Sequence, residues 1–260
     1  MVMKLTGEFY YRLLKPVAKK IFYYKFNVHE GDYILPGEGN PFIMVGHHVS
    51  AFDPLILNGF SKRMIRFLYA DANTELGVRA KLLRLLDMMS FAKNSADCQS
   101  IRHCNTRLKE GKALGLYPDG GPCWDGTPDP LIFSTSKLIK MMNVPVYGIR
   151  YNGAYLSKPR WCIKIRKGKV IMNTFQIFTK EEIKSLTIEE LHDKLTKALE
   201  YDEFKWQREN RVSFKGKKLA ESIEKLLYYC PECGRMNKMA SKGSRFKCTH
   251  CDLELIYNEY

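Results

Sequence analysis

A histidine and an aspartate lie five positions apart in residues 46–54, which read GHHVSAFDP. A carboxylate that accepts a hydrogen bond from one imidazole nitrogen fixes the tautomer of the ring, so the other nitrogen can take a proton from a hydroxyl group. His48 and Asp53 are therefore predicted to act as a general base and its orienting acid. Residues five apart do not share a helix face, so His48 is expected in the loop before a helix. Alternatively, Asp53 and the following Pro54 only begin that helix, with the carboxylate as its cap.

A second segment with chemical potential spans residues 117–122 and reads YPDGGP. An aspartate and two glycines after a buried strand favour a tight turn with exposed backbone N–H groups, and such turns bind anions or polarise carbonyl groups. An ordinary Pro-Asp-Gly turn is the alternative. Ligands of open α/β sheets bind beyond the carboxyl ends of strands, where both segments are expected. The candidate binding residues of this turn are Pro118, Asp119, Gly120 and Gly121.

Four cysteines near the end of the chain have the spacing of a zinc ribbon. Two Cys-x-x-Cys pairs, separated by fourteen residues, are formed by Cys230, Cys233, Cys248 and Cys251. Two such pairs close a tetrahedral thiolate site, and structural zinc is predicted rather than iron or a redox dithiol. His250 lies inside the second pair but is not expected to be a ligand. The unpaired spacing of Cys98, Cys104, Cys123 and Cys162 indicates a reducing compartment.

The formal net charge of +14 favours a polyanionic partner. An anionic membrane surface is the predicted partner, and nucleic acid is not, since a zinc ribbon does not by itself indicate it. Basic helices exposed to solvent are the alternative explanation of the charge. The ribbon is expected to stabilise the fold, although contacts with nucleic acid or lipid headgroups stay open for its basic residues, which are Arg235, Lys238, Lys242, Arg245 and Lys247.

Residues 8–26, EFYYRLLKPVAKKIFYYKF, place aromatic and aliphatic side chains at helical spacing among basic ones. This pattern predicts a segment that lies in the membrane interface, which Pro16 divides into two short helices. The alternative is an amphipathic helix packed on the protein's own core. No apolar run reaches the length of a transmembrane helix, so none is predicted.

Alternating elements surround these motifs. Short apolar runs between turn residues predict buried strands over 42–45, 65–69, 113–117 and 144–149. Helical patterns cover 74–89, 97–109 and 134–142, with Asp97 and either Ser134 or Thr135 as expected N-caps. Later strands are expected over 161–166 and 170–178, and a charged helical region over 187–229. The alternation predicts an α/β fold with a largely parallel sheet flanked by helices.

The order of these segments resembles the 1-acylglycerol-3-phosphate acyltransferase family. That family carries Asn-His-x4-Asp after a strand, an arginine-containing block, Phe-Pro-Glu-Gly-Thr, and a strand that contains Val-Pro. The counterparts here are His48 and Asp53, Lys93 in the FAKN stretch, residues 117–121, and residues 144–146. The resemblance covers roughly residues 1–200.

The resemblance implies an enzyme on the cytoplasmic face of a membrane that transfers a fatty acyl group from acyl-CoA or acyl-carrier protein to a lysophospholipid. The expected acceptor is 1-acylglycerol-3-phosphate, and the product is phosphatidic acid. His48 resembles the family's base and Asp53 its orienting acid. Asp119 stands where the family has glutamate, Gly121 replaces threonine, and no arginine follows directly. Another lysolipid acceptor therefore stays open, as does a non-catalytic, basic zinc-ribbon binding protein.

Four regions are predicted along the chain. They are an amphipathic membrane-surface segment (1–26), an acyltransferase α/β domain (27–200), a charged helical connector (201–228) and the zinc ribbon (229–260).

Overall fold

The computed structural model describes residues 7–50, 52–70, 87–91 and 98–260. The strands of its main sheet are β1 (Val28–Glu30), β2 (Phe42–Gly46), β3 (Ile65–Ala70), β4 (Met89–Phe91), β5 (Ala113–Leu116), β6 (Val146–Asn152) and β7 (Val170–Phe178). Their spatial order is β1-β7-β6-β2-β5-β3-β4. Neighbouring strands are parallel except β6 and β7. The predicted α/β fold with a largely parallel sheet is confirmed.

β2 lies between β5 and β6, and all of its residues are buried. The residues of β5 are buried as well. Continuous apolar runs of this kind suit parallel strands that are covered on both faces. Gly115 lets the ring of Phe67 pack directly on β5, because a Cβ at this glycine would lie 2.3 Å from that ring. Since β2 and β5 are parallel neighbours, the segments that follow them emerge side by side.

Helices cover both faces of the sheet. On one face, helical residues such as Phe22 and Leu57 pack against β2. On the other face, Leu108, Ile139 and Leu191 do so. The helices in the described chain are α1 (Gly7–Phe26), α2 (Asp53–Phe60), α3 (Cys98–Lys109), α4 (Ser134–Met142), α5 (Ala154–Ser157), α6 (Lys180–Ser185), α7 (Ile188–Leu199) and α8 (Glu203–Asn210).

The expected break of α1 at Pro16 is wrong, because α1 continues through this proline as one helix of 20 residues. Proline removes one backbone hydrogen bond of a helix. Tyr11 on one side of it and Phe22 and Phe26 on the other are buried, so core packing holds both halves in line. The last two also contact Phe52, with ring centroids 6.5 and 5.3 Å apart. The end of α1 therefore lies beside the start of α2.

Residues 161–166, predicted as a strand, form no strand. The Arg166 N–H donates to the Ser157 carbonyl at 2.7 Å, which folds the segment back toward α5. Trp161 and Cys162 are buried because they pack against the cysteine-rich C-terminal unit. Burial does not follow the alternation of apolar and basic residues, because Ile163 is 69% exposed whereas the basic Arg166 is buried. The following prediction, a strand over 170–178, is confirmed as β7.

The helix expected over 74–89 falls mainly on residues that lie outside the described chain. Its last residue, Met89, is described and belongs to β4 instead. Asp97, the expected cap of the next helix, also lies outside the described residues. The remainder of that prediction is confirmed, since α3 ends at Lys109.

α4 begins at Ser134, as predicted, but neither Ser134 nor Thr135 caps it. The cap position is occupied by Phe133, which is itself helical and makes no side-chain cap bond. The Thr135 N–H donates to the Ile132 carbonyl at 2.9 Å. Backbone carbonyl groups of the preceding turn therefore accept the hydrogen bonds of the first amide groups of α4, and no side-chain acceptor is required.

The region 187–229 is helical only in its first part. α8 ends at Asn210, and the left-handed backbone of the following Arg211 (φ 47°) terminates the helix. Beyond it the described chain contains one short 3-10 helix, Ile223–Lys225. Leu219 and Ala220 are buried. The segment after α8 is therefore packed against the protein rather than continued as a helix.

The C-terminal unit contains three antiparallel strands, β8 (Met239–Lys242), β9 (Arg245–Cys248) and β10 (Glu254–Ile256), in the order β10-β9-β8. The first cysteine pair precedes β8, whereas the second pair lies at the end of β9 and in the loop before β10. Its buried residues form a common cluster with Trp161 and Ala220. The unit is consequently packed onto the segments that precede it.

Candidate active site

The carboxylate of Asp53 organises the loop between β2 and α2. Its Oδ2 accepts hydrogen bonds from His48 Nδ1 at 2.9 Å and from the backbone N–H groups of Val49 and Ser50 at 2.7 and 2.8 Å. Its Oδ1 accepts the Ser50 hydroxyl at 2.8 Å. Asp53 is the first residue of α2, and Phe52 holds the cap position. The carboxylate therefore orients His48 and does not serve as the helix cap.

The orientation of the His48 ring leaves one nitrogen available for chemistry. Because Asp53 can only accept, Nδ1 carries the proton and Nε2 keeps its lone pair. No described residue hydrogen-bonds Nε2, and the side chain is 21% exposed. The ring stacks on Tyr117 at 4.6 Å between centroids, and Tyr117 stacks on Phe67 at 5.1 Å. A fixed imidazole with an accessible basic nitrogen can remove a proton from a hydroxyl group.

His47 has a different position from its neighbour. Its Nε2 lies 2.7 Å from the Leu199 carbonyl, and its Nδ1 lies 3.3 Å from Asp119 Oδ2. Both ring nitrogens thus face acceptors of the protein itself. His47 connects the β2–α2 loop to the end of α7, and of the two histidines only His48 has a ring nitrogen that no described residue hydrogen-bonds.

The turn after β5 supports the backbone of the histidine loop. Asp119 Oδ2 accepts the His48 N–H at 2.8 Å. The Asp119 side chain is fully buried, and its Oδ1 has no partner among the described residues. The Pro118 carbonyl accepts the Ile132 N–H at 2.8 Å. Both residues hold the turn in place, so their described contacts are with the protein.

The two glycines of this turn differ. Gly120 has a positive φ of 74°, and its N–H donates to the Tyr117 carbonyl at 3.2 Å. Its amide is therefore used within the turn. No described residue accepts a hydrogen bond from the Gly121 N–H, so this amide is the better candidate donor to an oxyanion. Lys93 lies outside the described residues.

Tyrosines that sequence reasoning missed close the inner wall of the site. The Tyr151 hydroxyl donates to the Asp53 carbonyl oxygen at 3.0 Å. Burial, together with the charge of Asp53, raises the pKa values of Tyr117 and Tyr151 well above the ordinary tyrosine value. Both hydroxyls therefore stay protonated at neutral pH. Tyr151 lies 98 positions from Asp53, and no local pattern indicates that pairing.

A cavity of about 620 Å³ lies at the amino ends of β3 and β5, away from His48. Its buried cation Arg66 is paired with Asp87 and Glu8. Its Arg63 donates to backbone carbonyls, including that of Gly111 at 2.7 Å. These cations stabilise the protein's own chain, and the cavity contains none of the groups described above.

The four cysteines of the C-terminal unit form a candidate metal centre. Their sulfur atoms all lie within 4.8 Å of one another. The Sγ–Sγ distances are 3.6 Å for Cys230 and Cys251 and 3.8 Å for Cys233 and Cys248. Sulfur atoms around zinc, with bonds of about 2.3 Å in a tetrahedron, are about 3.8 Å apart. His250 points its backbone N–H at Cys248 Sγ, at 3.4 Å, and adds nothing to the sulfur set.

The sequence model of the Acyltransferase family matches residues 25–152. These residues form an acyltransferase-family domain. The matched range contains His48, Asp53 and the turn after β5, whereas the cysteine centre lies outside it. The acyltransferase domain and its fold support an O-acyltransferase.

The described fold resembles a solved structure, the crystal structure of the 1-acyl-sn-glycerophosphate (LPA) acyltransferase PlsC from Thermotoga maritima. The TM-score is 0.63 at 18% sequence identity, over 78% of this chain and 80% of that chain. At this identity the similarity shows a shared fold. A search of curated protein sequences finds no significant match to this chain.

Substitutions in the histidine loop test which group is the base. We expect His48→Ala to lower kcat for acyl transfer by about 100- to 10,000-fold, the range of general-base contributions. Asp53→Asn is expected to lower kcat comparably, because an amide cannot accept all the hydrogen bonds made by the carboxylate. Steady-state kinetics and thermal melting of each variant are the measurements.

His47→Ala is the matched control, since it removes the adjacent imidazole but not the free nitrogen. Its kcat should fall much less than that of His48→Ala. Equal losses in the two histidine variants would contradict the assignment of the base to His48.

Proposed function

We propose that this protein is a membrane-surface O-acyltransferase that transfers a fatty acyl group from an acyl thioester to a lysophospholipid. The observation that carries the proposal is the free Nε2 of His48, fixed by Asp53 at the carboxyl end of β2 within an acyltransferase-family domain. Acyl-CoA or acyl-carrier protein is the donor. The favoured acceptor is 1-acylglycerol-3-phosphate, which gives phosphatidic acid.

The mechanism follows from the geometry of the site. His48 Nε2 removes the proton of the acceptor hydroxyl while its oxygen attacks the thioester carbonyl carbon. The imidazolium that forms is stabilised by the Asp53 carboxylate. The Gly121 N–H is a candidate donor to the oxyanion of the tetrahedral intermediate. Collapse of the intermediate breaks the carbon–sulfur bond, and His48 returns its proton to the departing thiolate.

Two observations favour a phosphate-bearing acceptor. The similar protein from Thermotoga maritima is a 1-acyl-sn-glycerophosphate acyltransferase. The present chain has a formal net charge of +14, which attracts anionic substrates and surfaces.

A panel of acceptors tests the proposal. Purified protein in mixed micelles receives labelled acyl-CoA or acyl-carrier protein with lysophosphatidate, lysophosphatidylcholine, lysophosphatidylethanolamine or monoacylglycerol. Phosphatidate is expected to form fastest, and the His48→Ala variant provides the blank. Faster transfer to a neutral lysolipid would show that this lysolipid, and not 1-acylglycerol-3-phosphate, is the preferred acceptor. The absence of transfer, together with nucleic-acid retention on filters that falls with salt, would favour the non-catalytic alternative.

The outer face of α1 supports attachment to a membrane. Its core-facing residues pack against the rest of the protein, whereas a second stripe of apolar side chains points outward. Leu13 is 60% exposed, Val17 56% and Ile21 50%. Phe9 and Tyr24 extend this stripe, and basic residues lie beside it. No helix in the described chain is long and apolar enough to cross a membrane. We therefore place α1 in the interface of an anionic leaflet, on its cytoplasmic side.

Vesicle binding tests this attachment. Replacing Leu13, Val17 and Ile21 together by serine should weaken sedimentation with anionic vesicles more than about tenfold, since each buried side chain contributes about 1.5 kcal/mol or more. Salt should also weaken binding of the unaltered protein. Substitution is preferable to deletion of residues 1–26, because Phe22 and Phe26 belong to the core.

The control for this experiment replaces three exposed apolar residues on other elements, Met141, Ile163 and Ile256, by serine. This variant should bind vesicles as the unaltered protein does. Unchanged vesicle binding of the α1 variant would contradict the proposal that α1 lies in the membrane interface.

Zinc is the metal that the cysteine centre fits best, as a structural ion. Metal analysis should find one zinc per chain. Cys233→Ser should release it and unfold residues 230–260, since structural zinc contributes about 10 kcal/mol to such units. New protease cleavage in that region is the measurement. Cys98→Ser, at an exposed cysteine outside the centre, is the control. A metal-free protein with a protease-resistant ribbon would contradict the prediction.

A further inference from the structure

We propose that the zinc ribbon is a positioning element of the active site. It holds, through Arg166, Trp161 and Tyr155, the backbone segment on which the His48 carbonyl rests. The kinetic part of this inference rests on the proposed function. Its structural part does not, because it follows from contacts that join the cysteine unit to the histidine loop.

The first contact is the packing of the ribbon on the segment between α5 and β7. Cys230, Cys248 and Phe246 of the ribbon form one buried cluster with Trp161 and Cys162. Trp161 is only 3% exposed. A tryptophan of the acyltransferase side therefore depends on the folded ribbon for its burial.

The second contact is a buried arginine that the ribbon completes. Arg166 is 2% exposed, and its Nη1 donates to the Tyr257 hydroxyl at 2.8 Å. Its Nη2 donates to the Leu219 carbonyl at 2.5 Å. The guanidinium lies 4.4 Å from the Tyr257 ring centre and 4.8 Å from that of Trp161.

No described carboxylate neutralises this arginine. A buried cation is costly unless hydrogen bonds and neighbouring groups compensate for lost water. The π faces and the Tyr257 hydroxyl supply that compensation, and Tyr257 follows directly on β10 of the ribbon. Loss of the folded ribbon would leave Arg166 without the ring and hydroxyl of Tyr257, so the segment that contains Trp161 would have to rearrange.

The third contact connects the segment that contains Trp161 to the loop after the Asp119 turn. Trp161 Nε1 donates to the Tyr155 hydroxyl at 3.2 Å, and that hydroxyl donates to the Trp124 carbonyl at 2.7 Å. Gly126 permits the close approach of the Tyr155 ring, since a Cβ there would lie 2.7 Å from it. One hydroxyl thus joins the segment under the ribbon to residues 124–126.

The fourth contact reaches the catalytic loop. The Cys123 N–H, one residue before Trp124, donates to the His48 carbonyl oxygen at 3.0 Å. Arg160 reinforces this segment, since its Nη1 donates to the Pro122 carbonyl at 2.8 Å and its guanidinium lies over Trp124 at 4.2 Å. The backbone of His48 is therefore held by Asp119 on its N–H and by Cys123 on its carbonyl.

The ribbon itself provides two states, because units of this size fold with zinc and unfold without it. Coupling between two sites is reciprocal. If the folded ribbon, by ordering residues 120–126, raises the affinity for the acceptor, then bound acceptor must raise the affinity for zinc by the same factor. The ribbon and the active site are far apart in the sequence, which suggests instead that they are independent. Coupled and independent sites give different results in the experiments below.

Hydrogen exchange of the substrate-free protein tests the structural part. We expect Cys233→Ser to raise amide exchange in residues 120–126, with Cys123 as the reporting amide. Tyr155→Phe should act in the same direction, since it removes two hydrogen bonds and keeps the ring. Tyr228→Phe, at an exposed tyrosine that directly precedes the ribbon, is the control and should leave exchange unchanged. Exchange at the unaltered level in a zinc-free Cys233→Ser protein with an unfolded ribbon would overturn the proposal.

Kinetics and zinc release test its consequence. Cys233→Ser should lower kcat about tenfold, as small misplacements of catalytic groups do, and should also weaken binding of the acceptor. The double variant with Tyr155→Phe should resemble Cys233→Ser alone, because the connection is then already lost. A lysolipid acceptor should slow zinc release to a chelator in the unaltered protein.

Additive losses in the double variant, or release of zinc at the same rate with and without acceptor, would overturn the coupling. If the unaltered protein transfers no acyl group, the proposed function fails, whereas the exchange experiment still decides whether the ribbon orders the loop.

Discussion

The geometry of the candidate active site depends on the hydrogen bonds that the buried carboxylate of Asp53 accepts. It is fully buried and accepts four hydrogen bonds, all from residues 48–50. An unpaired charge in this position would cost several kcal/mol, so the loop cannot take another conformation without leaving the carboxylate unsatisfied. The hydrogen bonds to Asp53 that fix the conformation of the loop therefore also orient the His48 ring.

The order of strands makes the rest of the site possible. Because β2 and β5 are adjacent, Asp119 reaches the backbone of the neighbouring loop and accepts the His48 N–H. β6, on the other side of β2, brings the Tyr151 hydroxyl to the Asp53 carbonyl. The two acids therefore have separate tasks, since one orients the imidazole ring and the other fixes the backbone that carries it.

Features that rest on local sequence could be predicted. The interaction of His48 with Asp53 spans five positions, and the central strands are continuous apolar runs, so both follow from short stretches of sequence. The cysteine spacing likewise predicts the sulfur cluster. Contacts between distant elements could not be predicted: His47 meets a carbonyl 152 positions away. The alternation in residues 161–166 resembles that of a strand, but burial there is decided by contacts with the ribbon, which cover Trp161 and Arg166 and leave Ile163 exposed.

Charge and proline were misleading for related reasons. The charged residues after α8 predict an exposed helix, but a few apolar residues among them, such as Leu219, decide where that segment packs. Pro16 predicts a break, but a single lost hydrogen bond is outweighed by aromatic side chains buried on both sides of it. In each case tertiary packing outweighed a local preference.

The contact between α1 and Phe52 has a consequence for how the reaction would be supplied. α1 carries the exposed apolar stripe, and its end packs on the residue that immediately precedes Asp53. With α1 seated in a leaflet as proposed, the height of His48 above the acyl chains is set by the protein's own core. A lysolipid could then reach the base by lateral diffusion, without leaving the bilayer for water. Turnover would follow the mole fraction of acceptor in the surface, and diluting that surface with inert lipid would slow the enzyme even at constant bulk concentration.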